Sequence, residues 1–467
     1  MSFDKIIYRL TDKRIPAVTG IGLVGDILER AEFQKQFSNM ESVGKRSKKQ
    51  INTGAVMTTF IALLCMGKPD FERVAELQND AAFYQTALHL KRGFPSSATL
   101  RQRMDAIGKT QRDALLSFNT HLLKSNGIEP TPLKNGMVPV DMDVTPMDNS
   151  NTSKEGVSWT YKKFMGYAPM MAYIGKEGYL ANVELREGKQ HCQSGTPDFL
   201  RQTIKLCKQI TEQPLLVRLD SGNDAAENVG ILLENGAYYV IKRNLRKENR
   251  DEWAANIKSW CKDIRCPREG KKVYIGSTYK DIDYTGENGE QKTICNRIVY
   301  EMIERTSTPD GQMFLIPEYE LNMFWTNLGD SDDEIIKLYH AHGECEQFHS
   351  EIKTDMGVER LPSGKFDTNE LVLELMLIAY NILRMLGQET VSQGKAPAKR
   401  AVSRRRLRTV IQNIVHFAGH VTKHARQLIL SVSRSNAWAS AYLGLVTRFR
   451  LACVSRIQVK INFYFRG

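Results

Sequence analysis

The sequence lacks an apolar run long enough to cross a lipid bilayer. Its longest apolar stretch, residues 55–66, is interrupted by two threonines and is shorter than the roughly 20 residues that a membrane-spanning helix needs. The N-terminus also lacks the pattern of a secretory signal. These absences argue against a membrane or secreted protein and favour a large soluble enzyme, and its 467 residues predict three or four domains.

The cysteines do not form a paired framework. The eight cysteines are scattered along the chain, which excludes a small disulfide-stabilised scaffold and suits a reducing cytosol. Cys261, Cys266 and Cys295 could supply zinc ligands, but no second close pair completes a ligand set. We therefore expect a cytoplasmic protein.

Acidic residues are missing from the last part of the chain. Residues 391–467 contain fifteen Lys or Arg and no Asp or Glu, within an overall formal charge of +12. Basic residues are mixed there with apolar ones, which is typical of basic amphipathic helices. Such a surface should bind DNA with a strong dependence on salt. An anionic membrane is the rival partner, although aromatic anchors are sparse, and charge alone does not exclude RNA. The candidate contacts are Arg404, Arg405, Arg406, Arg408, Lys423, Arg426 and Arg434.

Two strand-like runs carry aspartates. The alternating apolar residues of 137–145 predict a strand on which Asp141 and Asp143 share one face. A second apolar run, 214–219, stops at Asp220, where an Asp-Ser-Gly turn begins. Two strands would then each present a carboxylate.

A third acid lies on a helix predicted over residues 339–353. At about 100° per residue, Tyr339, His342, Glu346 and Lys353 fall on one exposed stripe, and the opposite face is apolar. A carboxylate flanked by phosphate-seeking side chains suggests a nucleic-acid active site, and a solvated helix face is the simpler alternative. Three carboxylates brought together would repel one another and raise their pKa values unless divalent cations neutralised them.

These motifs resemble the DDE transposases of bacterial insertion sequences, specifically the cut-and-paste group with a Tyr-Arg-Glu-Lys signature and an all-β insertion. The resemblance covers roughly residues 50–450. It implies that Asp143, within an Asp-x-Thr motif, Asp220 and Glu346 are the catalytic acids. They would hold two Mg²⁺ ions, with Mn²⁺ as an alternative, and would cleave and join phosphodiesters without a covalent enzyme intermediate.

Some positions compete with these acids. Asp141 is the strongest rival for the first acid, because it shares a strand face with Asp143, but the Asp-x-Thr match favours Asp143. Glu344 and Glu351 compete weakly with Glu346, since they are rotated some 160° and 140° away from it on a helix.

The signature departs from its family pattern at one position. The resemblance implies that Tyr339 and Lys353 clamp backbone phosphates of the transposon end, but His342 replaces the signature's Arg. An imidazole cannot make the bidentate phosphate contact of a guanidinium and is only partly charged at neutral pH. Either phosphate binding is weaker, or another arginine substitutes. Two other functions stay open: a nuclease of the same fold that does not join DNA, and a transposase-derived DNA-binding regulator.

The resemblance implies an α/β fold, in which an RNase H-like catalytic core is interrupted by a β-rich insertion and flanked by helical regions. Such a core places its first and fourth strands side by side. The insertion is also expected because the chain between Asp220 and Glu346 is far longer than one helix and one strand need. The predicted boundaries are 1–130 for a helical DNA-binding domain, 131–245 and 331–395 for the two parts of the core, 246–330 for the insertion, and 396–467 for a basic helical region for DNA binding or dimerisation.

The expected partners are the terminal inverted repeats of a transposon and its target DNA, bound by a homodimer because two ends must be synapsed. Residues 369–386 predict a long helix that is a possible assembly surface. In related enzymes an aromatic of the insertion takes up a flipped base, and Trp253, Trp260 or Trp325 could do so, with ordinary packing as the alternative. The N-terminal helices suit either a helix-turn-helix module or a plain bundle, with candidate contacts Lys45, Arg46, Lys48, Lys49, Arg101 and Arg103.

Overall fold

The computed structural model describes residues 8–38, 51–286, 288–397, 401–425 and 427–450. The chain divides into two compact units. Unit 1 comprises Met1–Gln111 and Glu351–Gly467, and unit 2 comprises Arg112–Ser350. The segments predicted at the two ends of the chain therefore fall largely in one unit, and the predicted segment 331–395 is divided between the two.

The N-terminal part of unit 1 is helical. Its elements are α1 (Ile21–Arg30), α2 (Phe33–Ser38), α3 (Thr53–Cys65), α4 (Val74–Gln78), α5 (Ala81–Ala87) and α6 (Ser97–Ile107), with 3-10 turns at Phe71–Arg73 and Gly108–Gln111. The side chains of Asn52 and Ser96 cap α3 and α6, because each accepts a hydrogen bond from a backbone N–H of the first turn. α3 is buried along its whole length.

Unit 2 begins with a helix and continues with strands and helices. Its helices are α7 (Arg112–Ser125), α8 (Thr196–Ile210), α9 (Ala226–Glu234), α10 (Arg250–Trp260), α11 (Asp332–His340) and α12 (Cys345–Ser350), with 3-10 turns at Ser221–Asn223 and Ala341–Glu344. Its strands are β1 (Val138–Val144), β2 (Met147–Asp148), β3 (Ser158–Trp159), β4 (Met165–Tyr167), β5 (Met170–Ile174), β6 (Tyr179–Glu184), β7 (Leu215–Leu219), β8 (Tyr238–Lys242), β9 (Asp263–Arg268), β10 (Lys271–Thr285), β11 (Gln291–Ser307) and β12 (Met313–Thr326).

The C-terminal part of unit 1 contains helices and a hairpin. Its elements are α13 (Phe366–Gln393), α14 (Leu407–Val410), β13 (His420–His424), β14 (Gln427–Ser431) and α15 (Ala439–Arg450), with π-helical turns at Glu351–Asp355 and Ile411–Val415.

The core of unit 2 is a mixed sheet. Within the described part of this unit, nine strands pair in the order β6-β5-β1-β7-β8-β12-β11-β10-β9. β1 is antiparallel to β5 and parallel to β7, and β7 is parallel to β8. β5 and β7 are buried at every position, as strands covered on both faces are. The expectation that the two aspartate-bearing strands are neighbours is confirmed by the pairing of β1 with β7.

The segment predicted as a β-rich insertion extends the same sheet. β12 pairs with the end of β8, where Trp325 is opposite Ile241. β10, β11 and β12 are 15, 17 and 14 residues long and form an antiparallel ribbon beyond it. Alternating apolar residues predict a strand, but they do not identify its pairing partner, so the continuity with the core emerges only in the folded chain.

The long helix α13 is the centre of unit 1 and not an assembly surface. Every residue from 371 to 387 is buried, so the expectation that this helix offers a face to a second subunit is wrong. A helix that is apolar on most sides is stable when other elements cover it. Among the described residues, no helix has both the length and the apolar character needed to span a bilayer.

The sequence predicts helices throughout the basic C-terminal region, but the structure also contains a β-hairpin there. β13 and β14 form an antiparallel hairpin in which Val421 is opposite Leu430. Along β14, Leu428 and Leu430 are half-buried, and the residues between and beside them are exposed. This two-residue period is typical of a strand. In the sequence, the mixture of basic and apolar residues favoured a helix instead.

Candidate active site

Asp143 and Asp220 lie at the same end of two neighbouring strands. The parallel register of β1 and β7 pairs Met142 with Leu219, so the two aspartates follow at equivalent positions, where neighbouring strands are about 4.8 Å apart. Asp143 is half-buried, and its Oδ1 accepts a hydrogen bond from the backbone N–H of Val144 at 2.7 Å. The fold thus brings together two acids that are far apart in the chain.

Asp220 caps the 3-10 turn that follows β7. Its Oδ1 accepts hydrogen bonds from the backbone N–H of Gly222 at 3.1 Å and from Nδ2 of Asn223 at 2.7 Å, which fixes the orientation of the carboxylate. Burial, and after it the negative charge of Asp143, raises the pKa of Asp220 above its ordinary value. The two carboxylates therefore repel each other, as the sequence predicts for acids that bind cations.

Glu346 lies on α12 and is exposed. The helix predicted over residues 339–353 is not continuous, because α11 changes into a 3-10 turn before α12 begins. The single exposed stripe is therefore wrong: His342, one of its four members, is buried. A 3-10 turn has fewer residues per turn than an α-helix, so a uniform 100° rotation does not give the true direction of the side chains.

The negative charges of all three acids contribute to the raised pKa of Tyr161. Its ring is exposed, and its hydroxyl donates to the carbonyl of Val144 at 3.3 Å, next to Asp143 in the chain. Desolvation of the hydroxyl, followed by the negative charges of Asp143, Asp220 and Glu346 among its neighbours, raises the pKa of Tyr161. The charges of all three carboxylates therefore act on this one phenol.

Sequence reasoning missed Tyr161. It lies on the connection between β3 and β4, where Lys162 and Lys163 follow it and are also exposed. An aromatic residue beside two lysines was the available signal, because this combination is common on nucleic-acid-binding surfaces. No spacing rule linked this loop to the acids, since the folded sheet brings them together.

Asp141, the rival for the first acid, is held in a buried ion cluster. Arg218, its register neighbour on β7, donates from Nε to Oδ1 and from Nη2 to Oδ2, each at 2.7 Å. Nδ1 of His342 lies 2.8 Å from Oδ1. Burial alone would raise the pKa of Asp141, but the charges and hydrogen bonds of Arg218 and His342 lower it. Because both carboxylate oxygens are occupied, Asp141 is a structural residue.

His342 supports the sheet instead of facing a phosphate. The side chain is 6% exposed. Although burial lowers the pKa of His342, the hydrogen bond and charge of Asp141 outweigh burial and raise it. Arg218 lies on the same carboxylate but is buried as well, so it does not offer a guanidinium to DNA in place of the signature's Arg.

The three acids have the donor atoms of a divalent-metal site, but among the described residues their oxygens do not all lie within 4.8 Å of one another. Asp143, Asp220 and Glu346 offer carboxylate oxygens, which are the donors that Mg²⁺ and Mn²⁺ prefer. The raised pKa of Asp220 reflects a repulsion that a bound cation would relieve.

The chain can be compared with known proteins over most of its length. Residues 4–453 match the family model described as Transposase DDE domain group 1. The chain belongs to this family of DDE transposases. It is therefore an enzyme of DNA transposition, of a nuclease and transesterase type that generally uses divalent metals. Among solved structures, it is similar to a piggyBac transposase synaptic complex with hairpin DNA, with 10% identity and a TM-score of 0.38 over 95% of this chain and 82% of that chain. No curated protein matches the chain significantly.

Tyr339 is packed beside the acids of the transposase. Its ring centroid lies 4.6 Å from that of Phe324, and Nζ of Lys242 lies 5.9 Å from it. Burial, and then the charges of Asp220 and Asp143, raises the pKa of Tyr339. The charges of both aspartates thus act on Tyr339, the first residue of the signature.

The candidate tryptophans of the transposase have different surroundings. Trp325 is 6% exposed; its Nε1 donates to Asp224 at 2.9 Å, and the guanidinium of Arg243 lies 4.3 Å from the centre of its ring. Trp253 is half-buried, and Trp260 is 49% exposed. Because both its edge and one face are occupied, Trp325 fits ordinary packing better than the uptake of a flipped base.

Arg404 and Arg405 belong to unit 1. Nη1 of Arg404 donates to Glu351 at 2.6 Å, and Glu351 also pairs with the buried Arg384. The guanidinium of Arg405 lies 5.6 Å from the ring centre of Trp438. Arg404 is therefore held by an ion pair within its own unit.

Arg406 and Arg408 share one carboxylate of the same unit. Asp355 lies 2.8 Å from Nε of Arg406 and 3.2 Å from Nε of Arg408. Both arginine side chains are about half exposed, at 50% and 52%. Two guanidinium groups on one carboxylate leave a net positive charge at the surface.

Lys353, the last signature residue, lies half-buried in the π-helical turn of unit 1.

The other basic candidates are only partly described. Arg101 pairs with Glu72 at 2.5 Å, and Arg103 donates to the carbonyl of Ile51 and the hydroxyl of Thr53, each at 3.1 Å. Both arginines therefore have structural contacts. Lys423 and Arg434 are exposed. The candidates outside the described residues are Lys45, Arg46, Lys48, Lys49 and Arg426.

Proposed function

We propose that this transposase excises an insertion sequence at its ends and joins it to target DNA by metal-dependent strand transfer, in cut-and-paste transposition. The observation that carries the proposal is the position of Asp143 and Asp220 at adjacent strand ends. The charge of Glu346 contributes, like those of both aspartates, to the raised pKa of Tyr161. Membership of the family supplies the class of reaction.

Asp143, Asp220 and Glu346 are the residues that would hold two divalent ions, Mg²⁺ or Mn²⁺, with Asp143 as the shared ligand. Ions bound there favour deprotonation of an attacking water or 3′-hydroxyl and offset the charge of the leaving oxygen. The hydrogen bonds from Gly222 and Asn223 hold the carboxylate of Asp220 in place beforehand, which reduces the entropy lost on forming the site.

The buried cluster supports all three acids. Arg218 connects β7 to Asp141 on β1, and His342 connects the turn before α12 to the same carboxylate. The elements that carry the catalytic acids are thus joined through Asp141. Locking them together keeps the carboxylates in position although they repel one another.

DNA is the substrate and the main partner in this proposal. Tyr339 and Lys353 contact backbone phosphates of the transposon end, an assignment that rests on the signature. Tyr161 and the two lysines after it lie against the strand that is cut, since a phenol and two cations beside the acids suit a phosphate backbone. The half-exposed Arg406 and Arg408 add sequence-independent attraction. The enzyme acts as a homodimer because two ends have to be synapsed.

A transposition assay with a matched pair of acids tests the proposal. Purified protein is incubated with a donor plasmid that carries the element with its native ends, a supercoiled target plasmid and Mg²⁺. Glu346→Gln should abolish excision and target-joined products, whereas Glu344→Gln, an exposed acid two residues earlier, should retain them. Cleavage without joined products would favour a nuclease, and DNA binding without any cleavage would favour a regulator.

A further inference from the structure

His349 has one ring nitrogen that makes no hydrogen bond to a described residue. The side chain is 5% exposed, and its Nε2 makes no hydrogen bond to a described residue, although it lies 3.5 Å from Oδ2 of Asp143. The other ring nitrogen, Nδ1, lies 3.0 Å from the hydroxyl oxygen of Tyr173. A buried polar atom without a partner is costly, so Nε2 is suited to a ligand.

Tyr173 is the hydrogen-bond partner of this imidazole. Its hydroxyl lies 3.3 Å from Sδ of Met171 and 3.0 Å from Nδ1 of His349, so the oxygen can accept the proton of Nδ1 when the hydroxyl proton is directed at the sulfur. Nε2 then keeps its lone pair, which is the form that binds metals. In that tautomer, the lone pair of Nε2 and the carboxylate of Asp143, which are 3.5 Å apart, repel each other unless a cation lies between them.

Cys345 completes a set of three ligand atoms. It is 2% exposed and lies one helical turn before His349 on α12. Its Sγ, a ring nitrogen of His349 and a carboxylate oxygen of Asp143 all lie within 4.8 Å of one another. Asp141 does not join the set, because Arg218 holds both of its oxygens.

We propose that Asp143, Cys345 and His349 bind a thiophilic divalent cation, of the class of Zn²⁺ or Co²⁺, at a site that shares Asp143 with the catalytic acids. A sulfur, an imidazole nitrogen and a carboxylate oxygen suit these metals, whereas Mg²⁺ takes oxygen ligands. Three protein ligands leave one tetrahedral position for water. On binding, the bond between Sγ and the metal forms and the thiol proton passes to solvent.

The shared carboxylate makes the two kinds of cation compete. This consequence rests on the proposed function, in which Asp143 holds a catalytic Mg²⁺ ion. A cation held by Cys345 and His349 withdraws Asp143 from that role, so Zn²⁺ inhibits Mg²⁺-dependent cleavage. The strength of the inhibition depends on Cys345 and His349, which are not ligands of Mg²⁺.

Cobalt absorption spectroscopy of the full chain without DNA tests the site independently of catalysis. The wild type should show a thiolate-to-Co²⁺ charge-transfer band that Zn²⁺ removes by displacement. Cys345→Ser should lose the band, and His349→Gln should bind Co²⁺ about tenfold more weakly or worse. Cys192→Ser is the control, because Cys192 is a half-buried thiol outside the ligand set. Absence of the band from the wild type, or its persistence in Cys345→Ser, would overturn the proposal.

X-ray absorption at the zinc edge of the wild type does not depend on the folding of a variant. We expect one sulfur ligand at about 2.3 Å together with nitrogen and oxygen ligands, and a shell of oxygen alone would refute the site. In the cleavage assay, Cys345→Ser should need about tenfold more Zn²⁺ for half-inhibition, relative to its own rate in Mg²⁺. A protein with the cobalt band but without Mg²⁺-dependent cleavage would refute the proposed function and leave the cation site standing.

Discussion

Two regions along β1 use the same residue type in opposite ways. At Asp141 the carboxylate is buried and both of its oxygens are neutralised by Arg218, with His342 beside them. At Asp143, two residues further, the carboxylate is more open and faces Asp220, another acid. The first region, the ion cluster, stabilises the fold, and the second, the acidic edge, is left with uncompensated charge.

The difference gives a physical criterion that separates an acid suited to binding a cation from a structural one. A buried carboxylate with a bidentate arginine has little free energy to gain from a metal, because its charge is already compensated. A buried carboxylate that lies beside another carboxylate, as Asp220 does, is destabilised until a cation binds. If this is correct, substitutions in the ion cluster should affect mainly stability, and substitutions at the acidic edge should affect mainly activity.

The largest effect is expected from Asp220→Asn. The variant should lose at least about 10²- to 10³-fold in the rate of DNA cleavage, the usual cost of removing one group that stabilises charge in the transition state. Its free energy of unfolding without metal should not fall, because the repulsion with Asp143 is removed. Single-turnover cleavage and urea denaturation measure the two quantities. A variant that unfolds more easily and still cleaves would reverse the assignment.

Asp141→Asn should destabilise the protein by about 3–5 kcal/mol, because it leaves the charge of Arg218 buried without its partner. Urea denaturation in the absence of metal measures this loss. The double variant Asp141→Leu with Arg218→Met, which replaces the pair by apolar side chains, should recover much of the stability. Equal stability of Asp141→Asn and the wild type would show that the ion cluster does not hold the strands.

His342→Arg introduces the Arg that the signature has at this position, but it should not restore a phosphate contact. The longer side chain would enter a buried site that already contains Arg218, so we expect a loss of about 1–3 kcal/mol in the free energy of unfolding, the usual cost of an overfilled core. DNA affinity should not increase. Tighter DNA binding at unchanged stability, measured by fluorescence anisotropy and denaturation, would contradict the buried position of His342.

Tyr161→Phe should reduce the cleavage rate about tenfold, because the variant lacks the hydroxyl on which the charges of the acids act. Its free energy of unfolding should not change, because an exposed ring loses only one hydrogen bond of modest strength. Single-turnover cleavage and urea denaturation provide the measurement. Tyr279→Phe, another exposed tyrosine in unit 2, is the control and should keep the full rate. Equal rates for the two variants would show that the hydroxyl of Tyr161 does not contribute to cleavage.

The smallest effect is a difference in pH dependence. The pKa of Asp141 is lowered by folding, so its stabilisation is present above the ordinary value of 3.8 and is lost as pH falls through the lowered pKa. The pKa of Asp220 is raised, so its contribution is full below 3.8 and is lost as pH rises through the raised pKa. Without metal, Asp220→Asn should therefore gain stability over the wild type from about pH 4 to pH 7. Asp141→Asn should lose least at acid pH. Urea denaturation in EDTA across this range would show whether the two trends diverge.

Much of the local structure follows from the sequence. The hairpin of β5 and β6 is a local feature of this kind, because Gly175 and Gly178 adopt the positive φ angles that its turn requires. β7 ends where the Asp-Ser-Gly turn begins, as predicted. Period and turn residues are local properties, so they survive without knowledge of the fold.

The contacts of individual site residues were harder to predict. A uniform helical rotation placed His342 on an exposed stripe. In the structure, the 3-10 turn and the contact of its Nδ1 with Asp141 bury the side chain. The indole of Trp325 is held by Asp224, 101 residues away in the chain. Tyr161 could not be connected to the acids by any spacing. In each case the deciding partner is distant in sequence, and its approach depends on the pairing of strands.

The sequence by itself determined which acids are present, in what order, and on which local elements they lie, because alternation, turn residues and motif spacing are read within a few residues. Only the tertiary structure decided that Asp141 is neutralised and Asp143 is not. The partners of Asp141 lie 77 and 201 residues away, and a buried charge is structural or reactive according to the charges that folding places around it.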